Sequence, residues 1–146
     1  MIAVRFPAQN FKIELRGGQR FIFDTMRKKW LLLTEEEWVR QNFVQFLLIE
    51  MQYPITLIAL EKMIILNGLK KRFDVLVYDN MHQPWMLVEC KAPQVLLSDD
   101  VLQQVLRYNM AVSVPFLVIT NGNSTFGWQR EHGVLKKLDV LPSFPS

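Results

Sequence analysis

The sequence predicts an α/β fold of the mixed, α+β kind: a central mixed β-sheet flanked by helices, in the order α-β-β-β-α-β. Three observations predict it. A capped segment with helical spacing of its apolar residues begins at Thr34. Three runs of strand length follow, at roughly Leu57–Leu66, Arg72–Tyr78 and Trp85–Lys91. A second capped segment, Ser98 to about Val112, then separates the third run from a fourth at Pro115–Thr120, which is the length a crossover between strands of one sheet requires.

Each element has its own signal. Residues 1–33 contain RGGQRFIF followed by DTMRKKWLLL, which predicts a short strand pair attached ahead of the main core. Thr34-Glu35-Glu36-Glu37 reads as a capping box, with Thr34 as cap and Glu37 reaching back to it. Its three carboxylates suit the positive end of a helix dipole. Val39, Phe43, Phe46 and Leu47 give that helix an apolar face, and Pro54 closes it. Asn67-Gly68 is a hairpin signal between the first two runs, and the polar turn DNMHQP joins the second to the third. Pro93 ends the third run. Ser98, with Asp99 and Asp100 behind it, caps the second helix. Asn121-Gly122 reads as a turn, after which Phe126–Arg130 pairs back. The last residues, PSFPS, read as the end of a tail at 141–146, leaving 34–140 as the body of one domain.

Composition narrows the classes. At 146 residues, half of them hydrophobic, the chain can bury a core without staples. The net charge of +3 is compatible with a polyanionic partner and too small to argue for one alone. A single cysteine rules out an intrachain disulfide framework and suits a reducing compartment. MIAVRFPAQNFKIEL has no basic region leading into an apolar run, so no signal peptide is expected. No apolar stretch reaches the length of a membrane span, and a soluble cytoplasmic protein is expected.

The acids in RFDVLVYDNMHQPWMLVECKAP carry the chemistry. Strand alternation puts Asp74 on a face with Leu76 and Tyr78, and Glu89 and Lys91 on a face with Trp85 and Leu87. Symmetric closure of the loop sets Tyr78 opposite Trp85, Leu76 opposite Leu87, Asp74 opposite Glu89, and Arg72 opposite Lys91. Directly opposed Cβ atoms lie about 4.5–5.5 Å apart, so two carboxylates meet at one end of a hairpin with a lysine beside them. Such a pair is destabilising unless neutralised. A magnesium ion does this with oxygen ligands, and metal-assisted hydrolysis of a phosphodiester is the chemistry that fits. The alternative is a solvated Glu–Lys pair at a strand end, with Asp74 paired to Arg72 or Lys71. Gln104 and Tyr108, four apart on one face of the second helix, favour the site.

The succession Asp74, Glu89-Cys90-Lys91, Gln104-x-x-x-Tyr108 resembles the PD-(D/E)XK nuclease superfamily in its RecB-like branch. TEEEWVRQNF, KKRFDVLVYD, LVECKAP, QVLRYN and VITNG, in that order, are similar to the N-terminal nuclease domain of type I restriction enzyme R subunits and its small stand-alone relatives. The resemblance covers roughly Phe23–Arg130. It implies a restriction-endonuclease-like core and a magnesium-dependent DNA endonuclease, with Mn2+ able to substitute. Asp74 and Glu89 would be metal ligands, joined by the backbone carbonyl of Cys90. Lys91 would be the catalytic lysine. Gln104 and Tyr108 would steady the site or contact the DNA backbone, and Glu36 is the candidate for an added glutamate from the first helix.

Phe73 stands where the superfamily often has proline. No GxxxxGK[ST] phosphate loop occurs, so no ATP site is expected in this chain, and targeting would come from a separate motor or specificity protein, from DNA structure or from a homodimer. A catalytically silent DNA-binding module of the same fold and a branched-DNA resolvase are the alternatives. Lys70-Lys71-Arg72, at the mouth of the expected site, suits phosphates. Arg27-Lys28-Lys29 has no assigned role. His82 and His132 read as surface residues, and Cys90 as a small core residue facing away from the acids.

Overall fold

The computed structural model describes residues 1–66, 68–110 and 112–145. At the N-terminus, β1 (Ile13–Arg16), β2 (Gln19–Asp24) and β3 (Lys29–Leu32) form an antiparallel sheet of three strands, one more than the pair expected. Gly17 and Gly18, at φ 56° and 81°, supply the two left-handed positions of a tight hairpin turn, which adds β1. The second turn is held by Asp24. Its buried carboxylate accepts the backbone N–H groups of Met26 at 2.8 Å and Arg27 at 3.1 Å.

Helix α1 (Glu35–Gln45) starts where its cap predicts, with the Thr34 hydroxyl accepting from the Glu37 N–H at 3.0 Å. Only half of the capping box forms. The Glu37 carboxylate turns inward to Arg40 and Gln41 instead of back to Thr34. A π-helical turn, Phe46–Glu50, continues the helix, and the predicted apolar face of Val39, Phe43, Phe46 and Leu47 is buried.

The main sheet runs β4 (Ile58–Leu66), β5 (Leu69–Tyr78), β6 (Pro84–Cys90), β7 (Phe116–Thr120), β8 (Thr125–Glu131), β9 (Val134–Leu138), in spatial as in chain order. Helix α2 (Asp99–Asn109) crosses between β6 and β7, the parallel pair, as expected. It ends short of Val112; Ala111 lies outside the described residues, as do Asn67 of the predicted hairpin turn and Ser146 of the predicted tail. Strand β9 was not anticipated. It pairs with β8 across a two-residue turn in which His132 (φ 49°) and Gly133 (φ 77°) are left-handed.

Two apolar layers hold the sheet between the helices. Val75, Val77, Val88 and Val118 pack with Val39 and Phe43 of α1 and Leu47 of the π-helical turn that continues it. Leu76, Leu87, Leu117 and Ile119 pack with Leu102 and Leu106 of α2. By strand alternation these are opposite faces of the sheet. Residues 141–145, expected as a tail, pack onto the first layer: Leu141 is buried, and Phe144 lies with its ring 5.4 Å from Trp85. The Tyr53 hydroxyl donates to the Pro142 carbonyl at 2.5 Å. Among the described residues no helix is long and apolar enough to cross a membrane.

Candidate functional site

The site is built where two strands change face together. Val75 and Val77 face α1, yet Phe73, two residues before Val75, packs on the α2 side. Strand β4 does the same, with Ile58 and Leu60 in the α1 layer and Ile64 against the α2 layer. The break falls at Glu61 and Asp74. Pairing runs Leu60↔Val75 and Lys62↔Phe73 on either side of them and skips the two acids. Glu61 sits at φ 47°, a left-handed conformation that a side chain with a Cβ rarely adopts.

Asp74 therefore leaves the face expected for it. Leu76 and Tyr78 pack toward α2, whereas one carboxylate oxygen of Asp74 accepts from Arg40 Nη2 of α1 at 3.1 Å. Its other oxygen accepts the backbone N–H of Cys90 at 2.7 Å. The β5–β6 register otherwise follows expectation at Leu76↔Leu87 and Val75↔Val88, the pair that Asp74 and Glu89 directly follow. Tyr78 pairs with Pro84 rather than Trp85, because an irregularity at Val77/Tyr78 takes up the turn that Asp79 holds. Nor does Arg72 oppose Lys91 in the described ladder. Arg72 pairs with Met63 of β4, and the Lys91 N–H donates to the Thr120 carbonyl of β7 at 2.8 Å.

Glu89 and Lys91 line a cleft of about 330 Å³ together with Gln104, Tyr108 and Asn109 of α2. Gln104 and Tyr108 thus reach the cleft that the i, i+4 spacing predicts. Tyr108 is largely exposed, and the Lys71 ammonium lies 4.2 Å over its ring. Oε1 of Glu89 is buried without a hydrogen-bond partner. Burial first, and the charge of Asp74 second, push the Glu89 carboxyl up to about 8. Glu36 lines a neighbouring cleft with Arg40 and Glu61. Burial and the Asp74 charge raise it as well, while Arg40 and Lys91 oppose the rise. Glu36, Asp74, Glu89 and Lys91 are therefore close enough to act on one another.

Whether these donors fit a magnesium ion can be judged from their chemistry. Among the described residues no group of three or more His, Cys, Asp or Glu side chains is disposed to hold a metal. Two carboxylates and a backbone carbonyl nevertheless suit magnesium, which keeps several of its own waters. The unpartnered oxygen of Glu89 is an open coordination position of the right kind. Cys90 is a buried core residue as expected, but it faces the α1 side to which Asp74 turns and so points away from Glu89 alone. Burial, with Asp74 behind it, holds its thiol well above its ordinary range, so this residue can offer its carbonyl and not a thiolate.

The arginines were missed. Arg40 is buried and contacts Glu37 at 2.6 Å, Asp74 at 3.1 Å, Glu61 at 3.3 Å and Glu36 at 3.5 Å. Its i, i+4 spacing from Glu36 was a usable signal. Arg27, whose basic run had no assigned role, bridges Asp24 at one end to Glu37 at 3.4 Å and Glu61 at 2.8 Å. A continuous chain of ion pairs thus runs from the N-terminal sheet to Asp74. Asp74 pairs with Arg40 and with neither Arg72 nor Lys71, the partners that its sequence neighbours suggest. Beyond the acids, the outer half of the β4–β5 hairpin exposes Met63 and Ile65 beside their cross-strand partners Arg72 and Lys70.

No curated protein matches the chain. A family model described as Type I restriction enzyme R protein N terminus matches residues 35–145, starting at α1 and running beyond Arg130 through β9 and the packed C-terminal segment. The N-terminal sheet lies outside that match. With most of its length covered, the chain belongs to the family of the type I restriction enzyme R protein N terminus.

Proposed function

We propose that this chain is a magnesium-dependent DNA endonuclease that hydrolyses phosphodiester bonds, with Asp74, Glu89 and Lys91 as its centre. The family supports a nuclease-like role. One observation carries the finer reading: a buried carboxylate oxygen of Glu89 has no partner, next to a second carboxylate, in a cleft shared with a lysine. A protein without a ligand to place there has no evident use for such a group.

The roles follow from chemistry. Asp74, Glu89 and the Cys90 carbonyl would hold the ion. Bound there, magnesium would polarise a phosphoryl oxygen and acidify a water. Lys91 would orient the nucleophile or stabilise charge developing on the phosphate. Gln104 and Tyr108, across the cleft, would contact the DNA backbone, and Lys70 and Arg72 would take phosphates further out. One such centre cuts one strand at a time, so double-strand cleavage would need a second copy or a second visit. A separate motor or specificity protein would supply targeting.

A DNA-binding module without turnover is the second reading, favoured by the two hydrogen bonds that already occupy Asp74. One assay separates them. The purified protein is incubated with linear, circular, single-stranded and branched DNA, in Mg2+, Mn2+ or EDTA, beside Lys91→Ala and Asp74→Ala. Metal-dependent cleavage lost in both variants is the expected result, and a preference for branched DNA would mark a resolvase. Binding without cleavage would establish the module.

A further inference from the structure

We propose that Arg40 is the resident counter-ion of the candidate site, and that a divalent cation reaching Asp74 hands the Arg40 guanidinium over to Glu36. The inference rests on the metal-binding reading above and adds to it a role for two residues of α1.

Charge balance is the first argument. The ion-pair chain and the cleft gather six acids, Asp24, Glu36, Glu37, Glu61, Asp74 and Glu89, around three bases, Arg27, Arg40 and Lys91. Arg40 sits among four of these acids and is the only base bonded to Asp74 among the described residues. A buried cation so placed holds together carboxylates that would otherwise repel one another. It also occupies an oxygen that a metal ion would use.

Geometry supplies the second. Nη1 of Arg40 is held by Glu37 at 2.6 Å, and Arg27 in turn braces Glu37 from the N-terminal sheet. That half of the guanidinium is anchored. Nη2 lies between Asp74 at 3.1 Å and Glu36 at 3.5 Å, so a small tilt exchanges one acceptor for the other without stranding the charge. The Nε–H of Arg40 is buried with no partner, so the present pose does not satisfy the group fully. Glu36, partly exposed and one helical turn before Arg40, is the acceptor that can move to meet it. On this account Glu36 is a positioning residue that receives Arg40 and is not a metal ligand.

A double-mutant cycle on cation affinity tests the handover. Mn2+ is titrated calorimetrically into the full chain as wild type, Arg40→Gln, Glu36→Gln and the double variant, with Asp74→Ala locating the binding. Arg40→Gln removes the competitor and should bind Mn2+ more tightly, by roughly tenfold. Glu36→Gln should bind several-fold more weakly, and that loss should vanish in the Arg40→Gln background. Simple through-space electrostatics would instead make the two effects additive, and additivity overturns the proposal. Arg40→Lys keeps the charge without the planar fork and guards against a folding failure of Arg40→Gln. It too should erase most of the Glu36→Gln effect, and an undiminished effect overturns the handover. A wild type that binds no cation refutes the metal-binding reading itself, an outcome distinct from binding that the variants leave unchanged.

Discussion

Removing a charge from the candidate centre should make the fold more stable. Glu89 is half-buried, with one enclosed oxygen that lacks a donor, and its carboxyl is pushed up to about 8 in the folded chain. Unfolded, the same carboxyl titrates near its ordinary value of about 4.3. Between those values the folded chain holds a proton that the unfolded chain has released. Stability therefore falls as pH rises across this window, is complete below the lower value, and levels off above the higher one. The slope for one group is at most about 1.4 kcal/mol per pH unit, so the change from pH 5.5 to 7.5 is on the order of 2 kcal/mol. Glu36, also raised, acts in the same direction.

Glu89→Gln isolates the larger contribution. The amide side chain is uncharged at every pH and close to the shape of the protonated acid. Urea unfolding in EDTA at pH 5.5, 6.5 and 7.5 should show a declining midpoint for wild type and a much flatter one for the variant. At pH 7.5, about three units above the unfolded value, the variant should be the more stable protein by on the order of 4 kcal/mol. Adding Mg2+ or Mn2+ at that pH should restore wild type and leave Glu89→Gln unmoved, since a ligand of the folded state stabilises only what it binds. Parallel pH profiles for the two proteins would refute the reasoning, because Glu89 would then have no unmet charge to lose.

Two further outcomes follow from the packing and from the hairpin. Phe73 is fully buried against the α2 layer immediately before the change of face, so Phe73→Ala should cost about 3–5 kcal/mol by thermal or urea unfolding; a cost below about 1 kcal/mol would mean that the face switch does not depend on it. Lys70→Glu and Arg72→Glu should weaken binding to any DNA sequence alike. Fluorescence anisotropy against salt should show each lowering the log–log slope by about one, and unchanged slopes would leave the outer hairpin to a protein partner.

Local rules account for what could be read before the structure. The Thr34 and Ser98 caps, the run of strands and the parallel crossover each depend on neighbours a few residues apart, and each appears where expected, although β5 begins three residues before the predicted Arg72. Strands β1 and β9 escaped because their residues are almost all exposed, leaving no apolar alternation to recognise. The C-terminal segment escaped for the opposite reason. Leu141 and Phe144 are separate apolar residues among prolines, and only tertiary contact shows that they cover Tyr53 and Trp85. The ion pairs were beyond reach in the same way, since Arg27–Glu61 and Arg40–Asp74 join elements that no periodicity connects.

The register leading to the acids was legible as far as Val75↔Val88, and the face of Asp74 was not, for a reason that bears on the site itself. Alternation carried unbroken through β5 would place Asp74 with Leu76 on the α2 side, in one cleft with Glu89. Helix α1 would then have no carboxylate of β5 to meet. Because β4 and β5 switch face together at Glu61 and Asp74, Asp74 turns to Arg40 while Glu89 remains in the cleft beneath α2. The acids stand at the seam between two layers. Glu36 and Arg40 reach them from α1, while Gln104 and Tyr108 reach the cleft from α2. The left-handed Glu61 that permits the switch carries no glycine to announce it, and its strain is balanced by the arginines its carboxylate holds, at 2.8 Å to Arg27 and 3.3 Å to Arg40. A strained residue secured by the same ion pairs that hold Asp74 ties the backbone distortion to the placement of the acid, so neither can relax without the other.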